Sequence, residues 1–297
     1  MAIQIHGRIK PLAKRLVHLA AEAGDEAAKL WQSRRPHDVG RAGRGSKSAF
    51  LQMDAVKKIQ AATGAWPNYE ALLAFQYGRF LAPGNVIFDV GAHTGLHTRN
   101  FLRAIEDAGQ VVVFEPLPPQ FEYLSSLFGA DARVKLNQRA VGAKAGRATF
   151  VHATGSPEES GLRQRVFNKP EIAAPVEIEV IVTTLDEEAA PYPRIDFVKI
   201  DIEGGEIDCL RGAKSVLNNH RPIVSVEYGS PGYSAYGHRP ETLFELASRH
   251  NYGVHDLFGN RIDNRKDWLQ FCDQAYWDYF LIPRERTDIA ARLTTAI

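Results

Sequence analysis

Val86-Ile87-Phe88-Asp89-Val90-Gly91-Ala92-His93-Thr94-Gly95 reads as a short apolar strand that ends on an acid and turns through two glycines toward a helix. Gly91 and Gly95 let the backbone turn sharply and approach a ligand with no Cβ in the way. Outward from this stretch the same alternation recurs. Strand-like runs at Val86–Val90, Val111–Phe114, Val134–Leu136, Phe197–Ile200 and Ile223–Val226 are separated by helix-like stretches around Thr98–Asp107, Pro119–Phe128 and Gly205–Leu217. Near-continuously apolar strands alternating with helices predict an α/β fold, doubly wound around a mostly parallel sheet that is covered on both faces. Val176–Val182 instead alternates apolar and polar positions, as an extra strand with one wet face does. Gly253–Leu257 and Tyr276–Ile282 read as a closing strand pair.

The flanks differ in texture. Residues 1–48 carry an amphipathic stretch, Ile9–Trp31, interrupted by Gly24, and then a glycine-rich basic stretch, Ser33–Ser48, with Arg34, Arg35, Arg41, Arg44 and Lys47. The first predicts an N-terminal helix that packs on the domain or on a second copy, so a homo-oligomer is open. The second predicts a solvated linker in preference to a membrane or acidic-partner contact. Residues 49–285 form the main domain, beginning with a helical stretch, Trp66–Leu81, that stops at Pro83-Gly84. Residues 286–297 read as a tail.

Composition narrows the class. The 297 residues are 44% hydrophobic and 24% charged, as in an ordinary soluble domain, and Lys plus Arg (36) nearly balance Asp plus Glu (35). Such a balance supplies no bulk field for gathering polyanions, so nucleic acid is not expected as partner. Two cysteines, Cys209 and Cys272, make no disulfide framework. With no secretory leader and no transmembrane run in the sequence, a cytoplasmic location is expected.

Ligands of open α/β sheets lie beyond the carboxyl ends of the strands, so the residues there carry the chemistry. After the first strand, the glycines are spaced G-x-x-x-G and Asp89 sits beside them. That departs from the dinucleotide pattern and counts against a nicotinamide-dependent dehydrogenase. An acid there suits a ligand bearing an ammonium group, such as the methionine part of S-adenosylmethionine. Glu115 ends Val111–Phe114 about 20 positions after Gly95, where nucleoside-binding folds place an acid on the ribose hydroxyls. Asp201, Glu203 and Glu206 follow Phe197–Ile200, with Lys199 the one basic neighbour; Glu206 also reads as a helix-start residue. Glu227 ends Ile223–Val226, and an acid ending a buried strand is costly unless paired or functional.

These elements resemble the FkbM family of class I methyltransferases. The resemblance rests on Asp89-Val-Gly-Ala-His-Thr-Gly95, Val113-Phe-Glu-Pro116, Ala140-Val-Gly142, Ser160-Gly-Leu162, Thr184-Leu-Asp186 and above all Val198-Lys-Ile-Asp-Ile-Glu-Gly204. It covers roughly Val86 to Pro283; His93 stands where the family usually has Asn. It implies a seven-stranded Rossmann-like sheet with S-adenosylmethionine as methyl donor. It also implies O-methylation of a hydroxyl on a sugar or secondary metabolite, a small-molecule acceptor. By position, Asp89, Gly91, His93 and Gly95 would line the methionine end, Glu115 would hold the ribose, and Ala140 would border the adenine.

An aliphatic hydroxyl needs a base to take its proton, or a metal to lower its pKa. Asp201, Glu203 and Glu227 are the carboxylates available for the base, and Asp201 with Glu227 could instead share a divalent cation. His238, in a Gly/Tyr-rich loop, reads as a loop residue sooner than a catalyst, and the polar stretch Ser156–Pro175 is a candidate cover for the acceptor site. Two other readings stay open: a non-catalytic scaffold that retains the nucleoside pocket, and methyl transfer to nitrogen or to a macromolecule.

Overall fold

A computed structural model of the chain describes residues 56–57, 60–61, 67–274 and 276–294. The expected N-terminal helix, the basic linker and Trp66 lie outside the described residues. Among the described residues the first full helix is Tyr69–Tyr77, shorter than the sequence pattern. The Asn68 side chain accepts from the Ala71 amide at 2.9 Å and fixes its start, and Gly78 ends it.

The strands follow in chain order: β1 Val86–Val90, β2 Gln110–Phe114, β3 Val134–Asn137, β4 Ala140–Val141, β5 Gly146–Ala153, β6 Pro175–Thr183, β7 Phe197–Ile200, β8 Ile223–Glu227, β9 Tyr252–Asp256, β10 Arg261–Ile262 and β11 Asp278–Pro283. The main sheet has the order β10-β9-β11-β8-β7-β1-β2-β3. Strands β3, β2, β1, β7 and β8 are parallel neighbours, and β11 lies antiparallel between β8 and β9. The expected seven strands are all present. An eighth, the two-residue β10, folds back on β9 and is too short to leave a periodic signal in the sequence.

Burial explains why the strand runs read as continuous apolar stretches. Val111, Val112 and Val113 of β2 are all buried, as are Ile87 and Phe88 of β1. Helix Leu96–Ile105 buries Phe101, Leu102 and Ile105. From β3 the chain returns to place β7 beside β1, on the side away from β2. That reversal opens a crevice at the carboxyl ends of β1 and β7.

Strands β4, β6 and β5 form a separate small sheet with a core of its own around Leu117, Ala140, Phe150, Val180 and Val182. The alternation in β6 holds at Val180 and Val182, whereas Val176 is exposed. No apolar pattern marks strand β5 in the sequence, because Gly146, Arg147 and Thr149 in its first half are exposed and only Ala148 there packs on the core. The expected helix Gly205–Leu217 is broken: Glu206–Arg211 ends at Gly212, whose missing Cβ makes room for the Gly142 carbonyl just after β4. The segment read as a tail carries regular structure. Thr287–Thr294 is a helix that sinks Ile289 and Leu293 into the main core, an apolar pair too short in sequence to stand out.

Candidate active site

At the crevice, a cleft with about 580 Å³ of empty space, partly open to solvent, gathers residues from four strand ends. Gly91 after β1, Glu115 after β2, Ala140 at the start of β4, and Asp201 and Glu203 after β7 all line it, with His93 beside them. Six of the nine residues singled out from the sequence thus share one cleft. The remaining three, Asp89, Gly95 and Glu227, do not line it.

Gly91 is required by the geometry. Its φ is +80°, and a Cβ there would fall on the carbonyl oxygen of Asp201. The turn after β1 is therefore pressed against the end of β7 by backbone alone. Gly95, also left-handed at φ +76°, does different work: a Cβ would meet Phe128 at 2.6 Å and Leu124 at 2.9 Å. It seats the start of helix Leu96–Ile105 against helix Pro118–Phe128. His93 has φ +49°, a left-handed backbone that Asn and His tolerate better than most residues. This explains how His stands where an Asn would be usual.

Glu115 is buried, with each carboxylate oxygen accepting one amide: His93 N at 2.9 Å and Leu117 N at 3.0 Å. Burial pushes its carboxyl up to about 7 against the pull of those two amides. Each oxygen retains acceptor capacity for a further donor. The rest of the wall is apolar, from Phe114, Leu117, Phe150 and Leu162.

Asp89 lies fully buried beneath the cleft. Thr98 Oγ1 donates to its Oδ2 at 2.6 Å, while its Oδ1 has no hydrogen-bond partner among the described residues. Its neighbour in register on β7 is Lys199. Burial alone would lower the Lys199 ammonium, but Asp201, Asp89 and Glu70 outweigh it and keep it charged. Lys199 Nζ lies 3.1 Å from Asp201 Oδ2.

Asp201, Glu203 and Glu227 each offer a carboxylate oxygen within 4.8 Å of the others. Glu203 has φ +57° on a tight turn. Glu206 is pinned under that turn: it accepts from Gly204 N at 2.9 Å and Ile202 N at 3.2 Å, and burial lifts its carboxyl to about 7. Lys199 is not the one basic partner of the group. The buried Arg165, from the stretch between β5 and β6, pairs through Nη1 with Glu203. Nothing local in the sequence announces that contact, since Arg165 sits among loop residues 38 positions before Glu203.

His238 is largely buried, 3.9 Å from Asp208, and does not line the cleft; burial, with Arg211 and Arg163, holds its ring below the usual range. Tyr236, two residues earlier, does line it and takes a hydrogen bond from Arg163 N at 3.2 Å. Trp268 is a core residue whose Nε1 donates to the Pro240 carbonyl at 2.7 Å. Among the described residues no helix is long and apolar enough to cross a membrane.

Comparison with known proteins adds three findings. The family described as "Methyltransferase FkbM domain" matches residues 89–254. The 2-O-methyltransferase NoeI of Sinorhizobium fredii (strain NBRC 101917 / NGR234) is 26% identical over 159 residues, covering 49% of this chain and 64% of that protein's length. Among solved structures, methyltransferase FkbM from Methylobacillus flagellatus KT aligns at 14% identity with a TM-score of 0.46, covering 88% of this chain and 58% of that one. Aeropyrum pernix fibrillarin, solved with natively bound S-adenosyl-L-methionine, aligns at 11% identity and 0.39, covering 72% and 74%. These two likenesses are too weak to transfer a residue or a ligand.

Proposed function

Because the chain belongs to the FkbM family of methyltransferases, we propose that it transfers a methyl group from S-adenosylmethionine to a hydroxyl of a sugar or secondary metabolite. The observation that carries this reading is the cleft at the β1/β7 reversal. It brings Gly91, Glu115 and Ala140 into one space with Asp201 and Glu203. The match to a 2-O-methyltransferase supports oxygen as the accepting atom. The near-balanced charge of the chain supports a small acceptor over nucleic acid.

The residues present fit the donor. Glu115 offers a buried carboxylate with spare acceptor capacity for a ribose diol, and Ala140 with Phe150, Leu117 and Leu162 offers an apolar slot for a purine. Gly91 leaves bare backbone at the end of β1. When bound there, S-adenosylmethionine would supply a sulfonium methyl whose S–C bond breaks as a C–O bond forms, the bonding pair leaving with sulfur. The protein has to position the hydroxyl and remove its proton. Asp201 is assigned the base: it borders the cleft, and Lys199 Nζ, 3.1 Å from its Oδ2, fixes the orientation of its carboxylate. Glu203 and Glu227 hold the adjoining space.

Calorimetric titration with S-adenosylmethionine and S-adenosylhomocysteine, with Glu115→Ala as control, tests this reading. Micromolar binding that the variant loses supports it. A folded wild-type protein that binds neither ligand refutes it. Binding without transfer to any acceptor would favour a non-catalytic nucleoside-binding scaffold.

A further inference from the structure

The small sheet has the order β4-β6-β5, so β5 is an outer strand. On its inner side it pairs along its whole length with β6, from Gly146 opposite Val182 to Ala153 opposite Pro175. On its outer side the Val151 amide donates to the Gly161 carbonyl at 2.8 Å, and the Gly161 amide donates back to the Val151 carbonyl at 3.1 Å. Backbone groups alternate sides along a strand, so Thr149 and Arg147 point theirs outward as Val151 does. Among the described residues, no backbone group bonds to theirs on that side. Both residues are exposed.

An outer strand of this kind is usually blunted by proline, by a bulge or by charge. Residues 146–150 contain no proline, their register with β6 is unbroken, and Arg147 is their one charge. On the face opposite Arg147 and Thr149, Ala148 and Phe150 join the apolar core of Val180 and Val182. The strand thus offers a regular row of free donors and acceptors, backed by packed side chains.

The residues along the row select what fits it. In an antiparallel pairing of the strand with itself, centred on Ala148, Arg147 lies opposite the partner's Thr149 and Thr149 opposite the partner's Arg147. All of these point their backbone groups across the seam, so each pair exchanges both amide-to-carbonyl bonds. Ala148 then faces the partner's Ala148 at a closely spaced position, which suits small side chains. The neighbouring registers fail. Centring on Arg147 sets two guanidinium groups directly opposite each other, and centring on Thr149 needs the edge of Val151, which Gly161 already occupies.

The charges agree with the Ala148 register. Arg147 forms an ion pair with Glu179, which lies opposite Thr149 on β6. In the paired sheet the partner's Arg147 falls in the row of Glu179, two strands or about 10 Å away, and the two long side chains meet over the short Thr149.

We infer that β5 is a self-association surface, through which two copies of this chain join their small sheets edge to edge into one six-stranded sheet. The contact is short, well under the roughly 1,600 Å² of a standard interface, so the dimer is weak and depends on concentration. The inference is independent of methyl transfer.

Sedimentation velocity on the full chain over about 1–300 µM tests it, with a dimer Kd expected at roughly 10–100 µM. Thr149→Pro takes away only the outward amide and leaves the ladder to β6 whole. Arg147→Glu, at an exposed position, turns attraction to Glu179 across the seam into repulsion. Each variant should raise Kd at least about tenfold. Combining Arg147→Glu with Glu179→Arg should return Kd to within about threefold of the wild type. Unfolding midpoints at low concentration should agree within about 3 °C, showing that the variants fold. A wild type that stays monomeric throughout overturns the inference. So does a dimer that survives both single variants, which would place the contact elsewhere, as on the amphipathic stretch Ile9–Trp31. A combined variant as weak as Arg147→Glu alone overturns the Ala148 register.

Discussion

Two clefts of this molecule are built by different means. The first, proposed for the cofactor, is assembled at strand ends: Gly91 after β1, Glu115 after β2, Ala140 opening β4 and Asp201 after β7. Each is fixed by the register of the sheet or by a bond to its neighbour, as when the His93 amide reaches Glu115 at 2.9 Å. The second is assembled from two connecting segments, around Arg165 and Ser234, joined to the sheet by side-chain pairing and one glycine contact. Strand ends supply a rigid site of fixed chemistry, and loops supply a wall that can vary with the ligand. The comparison therefore makes a claim about variants. Changes at Gly91, Glu115 or Ala140 should remove cofactor binding or the fold with it, and changes on the second side should alter acceptor use alone.

The largest effect is expected at Gly91. In Gly91→Val the side chain would collide with the Asp201 carbonyl and would need a left-handed backbone that valine does not tolerate. Strain and overpacking together should cost roughly 2–5 kcal/mol of stability. Thermal unfolding should show a lowered midpoint, and calorimetry no S-adenosylhomocysteine binding. A stable variant with intact binding would break the claim that the β1 turn is rigidly tied to β7.

Next comes Asp201→Asn, which leaves the cleft its shape but takes away the proposed base. The turnover number should fall about 10²- to 10⁴-fold with cofactor affinity changed little. Single-turnover methyl transfer checks it. An unchanged rate would move the base to Glu203 or Glu227, which Glu203→Gln and Glu227→Gln then separate.

How much of this was legible in the sequence follows the same division. The β1 motif and the apolar run before Glu115 are contiguous, so the turn glycines, the acid and the buried strands could all be read together. Gly91 and Gly95 nonetheless looked alike there and turned out to differ, one meeting the Asp201 carbonyl and the other two side chains of helix Pro118–Phe128. Spacing alone does not say which neighbour a glycine faces. Glu203 could be marked as a candidate, but its partner Arg165 could not, because that pairing depends on how the stretch between β5 and β6 folds back over the sheet. The same holds for the cleft at Ser230 and Ser234. Loop contacts of long sequence separation leave no periodic trace.

A smaller effect should appear in the pH dependence of cofactor affinity. The Glu115 carboxyl is lifted to about 7 by burial. Ionised, it accepts from both ribose hydroxyls; protonated, it gives up one acceptor position. Cofactor affinity should therefore rise between about pH 6 and pH 8, by up to roughly tenfold, and Glu115→Gln should be weaker and flat across that range. For stability the sign is the reverse. A carboxyl whose folded pKa lies above its unfolded value binds more protons in the folded state, so its share of stability falls as pH rises from about 4.5 to 7. Binding measured across the range, with unfolding curves beside it, separates the two. A wild-type affinity that is flat with pH would remove Glu115 from the ribose.

The smallest effect is expected from a metal chelator. Asp201, Glu203 and Glu227 come within 4.8 Å of one another, an arrangement of oxygen donors that a hard divalent cation could accept. Two of the three already face a cation of the protein itself: Lys199 lies 3.1 Å from Asp201, and Arg165 pairs with Glu203. A divalent ion bridging all three would sit beside both the Arg165 guanidinium and the Lys199 ammonium, against Coulomb repulsion in a partly buried site. Methyl transfer in the presence of EDTA should accordingly stay within about twofold of its value without it, since the fixed cations already balance most of the cluster. Loss of activity with EDTA and recovery with magnesium would show that a divalent cation joins the cluster through the carboxylate oxygens that Lys199 and Arg165 leave open, despite the two fixed cations beside it.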